Sequence, residues 1–264
     1  MITNFYKYQG TGNDFIIIDS RNVSLDLTEK KIKKITDRKF GIGSDGVMVI
    51  KNHSNHHFEM QFYNPDGSQS FCGNGSRCAV LFSFHLGICP RQCTFLSNDG
   101  IHTAEVLDDL QVKIDIIGPL KLTMLNSGDY ELNTGSPHYI KFVENIQIDD
   151  FISKSRSIRN NENYHKNGIN VNFVSSNDNG ISMRTYERGV EDETLSCGSG
   201  VSAAALAYGF KNNIDKDSVS VKTKGGDLTV DYVRNDDLFE NIFLTGPAKF
   251  VYRGEIDLWV LELG

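Results

Sequence analysis

SCGSGVSAAALA (residues 196–207) sets a cysteine, Cys197, directly before Gly198 and Gly200 and then runs into an alanine-rich apolar segment. FCGNGSRCAVLF (71–82) repeats the arrangement around Cys72. Both runs read as helices with a thiol at the N-terminal mouth. SRCAVLFSFHLG (76–87) and VSAAALAYGF (201–210) are apolar nearly all round. A helix of that kind is enclosed by other elements rather than laid on a surface. Gly87 is placed to cap the first of them at its C-terminus.

The two cysteines lie 125 positions apart, close to half of the 264-residue chain. Other landmarks recur in the same order. TGNDFI (11–16) parallels TGSPHYI (134–140), and EMQFYN (59–64) parallels SMRTYE (182–187), each at an offset of 123. IIGP (116–119) parallels FLTGP (243–247) at 128. Four landmarks in register point to two copies of one structural unit, too long and too few for a solenoid. Around each enclosed helix lie period-2 segments that read as strands. They are FIIID (15–19), VMVIK (47–51), FEMQFY (58–63), CTFLS (93–97), HTAEVL (102–107) and QVKIDII (111–117) in the first copy. In the second they are YIKFV (139–143), INVNFV (169–174), ISMRTY (181–186), SVSVKT (218–223), LTVDYV (228–233) and NIFLTG (241–246). The predicted fold class is therefore α+β. Two pseudo-symmetric units, residues 1–117 and 118–251, each wrap a strongly curved, mostly antiparallel sheet around a central helix, with a cleft between them. EIDLWVLEL (255–263), within a C-terminal strand over 252–264, lies outside the repeat and is expected to return to the first unit.

Composition narrows the function. A net charge of −7 argues against nucleic acid, and the basic run EKKIKKITDRK (29–39) reads as one solvated helix face. No apolar run reaches the ~18 residues of a membrane span. The N-terminus, MITNFYKYQG, has neither signal nor transit character, so the expected location is cytoplasmic. Five cysteines without an export signal do not form a disulfide framework. Their spacing does not suit zinc, so no metal is expected. HSNHH (53–57) reads as a polar loop, and Cys78, Cys89 and Cys93 as buried apolar residues. GIGSDG (41–46) matches the dinucleotide pattern G-x-G-x-x-G, but it joins a helix to a strand, the reverse of a nucleotide site. Its glycines are read as serving tight turns or close backbone approach.

Two thiols at two helix mouths suit a definite chemistry. A helix N-terminus lowers a thiol pKa and presents N–H donors to an anion. Two such mouths would hold one carboxylate between them, with a sulfur on each side of its α-carbon. Cofactor-free inversion of an amino acid needs that arrangement: a base on one face, an acid on the other, and donors that stabilise the carbanion.

With those residues in place, the chain closely resembles the diaminopimelate epimerase family over nearly its whole length. The resemblance rests on GTGNDF (10–15), GIGSDG (41–46), NPDGSQSFCGNGSRC (64–78), GSPH (135–138), INVNF (169–173) and ERG…SCGSG (187–200). It implies a PLP-independent enzyme with no cofactor. Such an enzyme is a homodimer that interconverts L,L- and meso-diaminopimelate on the route to lysine and peptidoglycan. It implies that Cys72 and Cys197 are the acid/base thiols and that Gly73, Asn74, Gly198 and Ser199 supply N–H groups to the reacting carboxylate. Asn13, Asn64, Asn170, Glu187 and Arg188 match residues that read the substrate's ammonium and carboxylate groups. An arginine for a carboxylate and Glu or Asn acceptors for ammonium groups suit a two-ended zwitterion. His138 matches a family histidine whose role the residues leave open. Ser136 stands where many members carry Asn, which puts one distal contact in doubt. The acidic stretch VEDETLS (190–196) reads as a solvated loop. The competing readings are a proline or hydroxyproline racemase or epimerase, a non-catalytic amino-acid-binding relative, and a redox switch made by the two thiols.

Overall fold

The computed structural model describes residues 2–177 and 179–257. The chain forms two compact units: one from the N-terminal residues through Ile114 together with Gly246 onward, the other Asp115–Thr245.

In the first unit the order is β1 (Ile2–Gly10), β2 (Asn13–Asp19), α1 (Glu29–Thr36), β3 (Gly46–Lys51), β4 (Phe58–Tyr63), α2 (Gly73–His85), β5 (Gln92–Ser97), β6 (Gly100–Val106) and β7 (Gln111–Ile116). Two crossovers organise it. β2 and β3 pair in parallel through α1, and β4 and β5 pair in parallel through α2. The remaining ladders are antiparallel. β2 and β3 are unbroken apolar runs because both of their faces are covered. Ile16, Ile18 and Val47 pack on Ile32 and Ile35 of α1. The alternate residues, Phe15, Ile17 and Met48, point to the other face, and α2 packs against both strands.

The second unit runs β8 (Leu120–Lys121), β9 (Thr123–Met124), β10 (Tyr130–Asn133), β11 (Pro137–Phe142), α3 (Phe151–Arg159), β12 (Asn170–Asn177), β13 (Gly180–Glu187), β14 (Asp192–Thr194), α4 (Gly198–Lys211), β15 (Lys216–Thr223), β16 (Gly226–Asn235) and β17 (Leu238–Pro247). Its crossovers match. β11 and β12 pair in parallel through α3, and β13 and β15 pair in parallel through α4. The hairpin turns match too. Ser97 pairs with Gly100 in one unit and Thr223 with Gly226 in the other, both glycines lying at positive φ. The chain then returns to the first unit, where β18 (Lys249–Asp257) pairs antiparallel with β1 from Ile2↔Asp257 onward. The expected segment 255–263 lies mostly outside the described residues.

Both enclosed helices begin at the glycine after the cysteine, three residues earlier than their apolar runs suggest. Both also end in the same way. Gly87 at φ 66° and Asn213 at φ 55° take the left-handed position after the helix. Ile88 N–H then reaches Ser83 O, and Ile214 N–H reaches Gly209 O, in the paired closing bonds of a Schellman motif. The helix read over 29–39 is shorter, Glu29–Thr36, with Thr28 accepting from Lys31 N–H as its cap. β1, β10, β14 and α3 have no counterpart in the sequence reading. β1 carries Thr, Asn, Lys and Gln among its aromatics, which hides its alternation. The stretch 190–196 is not a solvated loop. β14 pairs with β13, and Glu193 accepts two bonds from Arg184 and one from Lys224. Glu191 and Glu193 have basic partners on a helix, a strand and a turn distant in sequence, which composition alone cannot reveal.

Candidate active site

Cys72 and Cys197 are the N-cap residues of α2 and α4. Their backbones take nearly the same extended conformation, φ −137°, ψ 107° for Cys72 and φ −125°, ψ 109° for Cys197. Each cap carbonyl accepts the first intrahelical bond, from Ser76 N–H and Val201 N–H at 2.8 Å. Both thiols are partly exposed, whereas Cys78, Cys89 and Cys93 are buried. An α-helix has no intrahelical acceptors for its first N–H groups, so each mouth offers donors and a partial positive charge beside a sulfur. Gly75 N–H donates to Cys72 Sγ at 3.4 Å. Gly73 and Gly198 are buried in these first turns. A Cβ on Gly75 would crowd the Cys72 side chain at 3.4 Å, and a Cβ on Gly200 would do the same to Cys197.

At the first mouth, Asn74 Nδ2 donates to Asn13 Oδ1 at 3.3 Å. Asn13 Nδ2 donates in turn to Asp45 Oδ2 at 2.7 Å. This gives the motif GIGSDG its use. Asp45, its fifth residue, orients Asn13, while Arg38 spans Asp45 and Asp14 at 2.6 Å each. Burial alone would raise Asp14, but bonds from Arg38 and Lys7 hold it at about 2. The glycines serve close packing: a Cβ on Gly46 would meet the Phe62 ring at 2.6 Å. Asn64 sits at the end of β4, where its Nδ2 ties down the following turn through Ser68 and Ser70.

At the second mouth a chain of hydrogen bonds runs outward from the core. Asn172 Nδ2 donates to the carbonyl of Tyr139 at 3.1 Å, which fixes the orientation of its amide. Its second proton then meets His138 Nδ1 at 3.1 Å, and Thr185 Oγ1 donates to Asn172 Oδ1 at 2.9 Å. His138 must therefore carry its proton on Nε2, which lies 2.9 Å from Ser199 Oγ. Ser199, so engaged, has its own hydroxyl proton left for Cys197 Sγ at 3.4 Å. Burial, together with the nearby positive charge of Arg188, depresses His138 to about 3, so it works as a neutral imidazole. Asn170 is buried and fully used. It donates to Ser136 Oγ and Pro137 O and accepts from Arg188 N–H. The Ser136 hydroxyl that replaces a family Asn is thereby tied to Asn170. Glu187 ends β13 half-buried, at the position equivalent to Asn64, and Arg188 follows it with an exposed side chain that donates to Asn167 O.

At the first mouth the structure brings Asn13 and Asn74 together, while Asn64 serves its turn; in the second unit Ser199 meets Cys197, Asn170 joins Ser136 to the Arg188 backbone, and Glu187 and Arg188 lie at the end of β13. Sequence reasoning missed Asp45, Arg77, Asn172 and Thr185. Asn172 left a trace: Asn170 and Asn172 sit on one face of a strand whose first five residues are otherwise Val and Phe, where amides are depleted. Among the described residues no cluster of His, Cys, Asp and Glu is placed to hold a metal, and no helix is long and apolar enough to cross a membrane.

The profile of the family described as diaminopimelate epimerase matches residues 5–121 and 130–251. The chain is 40% identical to a diaminopimelate epimerase of Flavobacterium psychrophilum, over 95% of this chain and 99% of that one. It is 38% identical to one of Aquifex aeolicus, over 98% and 99%. Among solved structures it resembles a hydroxyproline epimerase of Agrobacterium vitis (TM-score 0.74, 13% identity, 97% and 92% covered). It also resembles a PhzF-family phenazine biosynthesis protein of Bacillus anthracis (TM-score 0.73, 16% identity, 97% and 99% covered). At those identities the likeness is one of fold.

Proposed function

The chain belongs to the diaminopimelate epimerase family, and on that premise we propose that Cys72 and Cys197 are the two acid/base groups that invert an α-carbon of diaminopimelate. One sulfur, as thiolate, takes the α-proton from one face. The electron pair passes into the adjoining carboxylate, where the N–H donors of Gly73, Asn74, Gly198 and Ser199 stabilise it. The other sulfur, as thiol, gives its proton to the opposite face. The L,L isomer has become meso, and the two sulfurs have exchanged protonation states. Exchange with solvent resets them. No redox step and no cofactor is required. Asn13, Glu187 and Arg188 read the substrate's charged groups, with Arg188 suited to a carboxylate and Glu187 to an ammonium, while Asn64 and Asn170, whose amides are already engaged, hold the turn after β4 and the Arg188 backbone in place.

The observation that carries this reading is the matched cap geometry of two partly exposed cysteines at the starts of two enclosed helices. Proton NMR in D2O tests it. Reduced protein should exchange the α-proton of L,L-diaminopimelate and produce the meso form. Cys72→Ala and Cys197→Ala should each lower epimerisation by roughly 10²–10⁴-fold. Folded, reduced protein that leaves the α-proton in place would overturn the assignment. Hydroxyproline and proline would then be tried in the same assay. The reading also takes the protein to be a cytoplasmic homodimer, and sedimentation at twice the chain mass is the expected result.

A further inference from the structure

Arg77 lies one turn inside α2 and is 0% exposed. Its side chain points back toward the helix mouth, as side chains on a helix do. Nη1 donates to Gly73 O at 3.3 Å, and Nη2 donates to Asn74 Oδ1 at 2.9 Å and Thr11 Oγ1 at 3.4 Å. All of these acceptors are neutral. Nε has no partner, and among the described residues no carboxylate pairs with the guanidinium. Gly10 makes room for it, since a Cβ there would lie 3.4 Å from Nη2. A buried, unpaired cation is costly and persists where a negative charge offsets it.

The candidates for that negative charge are few. Lys7 and Arg38 on one side and Asp14 and Asp45 on the other balance within their own network. Glu59 on β4 accepts from Gln61, and His102 on β6 pairs with Asp99. On β1, Tyr8 bonds to His85 at the far end of α2, and the charged residues of β18 are mostly exposed. The thiol of Cys78 lies close by, but burial pushes it far above the ordinary range, so it stays protonated. Cys72 remains. Burial brings Arg77 down to about 10, while the thiols of Cys78 and Cys72 act to raise it.

We infer that Arg77 is a positioning residue acting through Cys72: its enclosed guanidinium supplies the positive field that keeps this sulfur a thiolate in the resting protein. The inference rests on Cys72 being an acid/base group and adds how that group is charged. At the equivalent position the second unit has no cation. Its equivalent of Arg77 is Ser202, which makes the same bond to the carbonyl four residues back, Gly198 O at 3.2 Å, without a charge.

The test is the pH dependence of iodoacetamide alkylation at Cys72, read by peptide mapping in full-length Cys197→Ala protein. The expected midpoint lies at least about one unit below the ~8.5 of a free thiol. Arg77→Met should raise it by about one unit or more, and Arg77→Lys, which keeps the charge, should hold it low. A midpoint at or above ~8.5 with Arg77 in place overturns the inference, and that result needs no variant at position 77 to fold. So does an unchanged midpoint in folded Arg77→Met. The readout is independent of turnover. A low midpoint in protein that never exchanges an α-proton would refute the epimerase reading and leave the role of Arg77 standing.

Discussion

Phe15, Met48 and Phe62 occupy in the first unit the positions that His138, Asn172 and Thr185 hold in the second. The ladders establish the equivalence. Phe15 pairs with Gly46 as His138 pairs with Asn170, and Met48 pairs with Phe62 as Asn172 pairs with Thr185. One trio is apolar, with the Phe15 and Phe62 rings edge-to-face at 5.9 Å. The other is a closed set of hydrogen bonds that ends at Ser199 and Cys197. Each trio packs behind a cysteine-bearing helix start of the same geometry. The fold therefore asks only that these three positions be filled and their polar atoms satisfied. What they contain is free to differ. The first mouth takes its electrostatics from a buried cation on the helix itself, and the second from a neutral relay on the sheet.

Substitutions that carry one trio toward the other test this comparison. The largest effect should come from His138→Phe, which installs the residue of the first unit. His138 has a folded pKa of about 3 against an ordinary 6.5, so between those values the unfolded chain binds a proton that the native protein does not. Stability from this site is full above pH 6.5 and is lost as pH falls toward 3, at a slope of up to about 1.4 kcal/mol per pH unit. Urea unfolding from neutral to mildly acidic pH should show a shallower acid loss in His138→Phe than in the parent. Equal slopes would mean that the imidazole is protonated in the native state and that the relay runs the other way.

Asn172→Met should come next. It removes the donors to His138 Nδ1 and Tyr139 O and the acceptor for Thr185, at about 2–3 kcal/mol. The reverse exchange, Met48→Asn, should cost about as much, because Phe15 and Phe62 offer an amide nothing to bond. A neutral result for either in urea unfolding would show that the trio tolerates unpaired polar groups. The smallest effects belong to the glycines. A Cβ on Gly200 would lie 2.7 Å from Asn172 Oδ1, whereas one on Gly75 would meet the pliable Met48 Sδ at 3.3 Å. Gly200→Ala is expected to cost about 1–2 kcal/mol. Gly75→Ala should cost under about 1 kcal/mol, since alanine's better helix propensity offsets the squeeze. Equal costs would mean that the two mouths pack alike.

The cysteine mouths, the repeat and most strands were legible because each is local. A Cys-Gly-x-Gly run before an apolar segment needs no partner to be read, nor does a strand such as FEMQFY, whose burial alternates residue by residue. What stayed hidden depends on partners distant in sequence. Nothing near Arg77 announces that it is wholly buried, except that a helix apolar on every face leaves a charged residue nowhere else to go. The tautomer of His138 is decided by Asn172, 34 residues on, and the amide of Asn172 by a carbonyl on another strand. The acidic stretch at 190–196 reads as solvated because Arg184, on β13, and Lys224, in the turn after β15, meet it only in the fold. GIGSDG reads as a turn from helix to strand, but that Asp45 orients Asn13 becomes visible only once the two meet.

Gly73 through Ser83 of α2 form one continuous buried stretch that includes the first turn. Helix ends on a protein surface fray, and their amides exchange with solvent through small local openings. This one has no surface on which to fray. To release the amides beside Cys72, the strands around α2 must part, which is to unfold the unit. The most reactive end of the helix thereby shares the lifetime of the most protected part of the core. Whatever wears the protein down locally, such as loop clipping or a loosened terminus, will reach that end late.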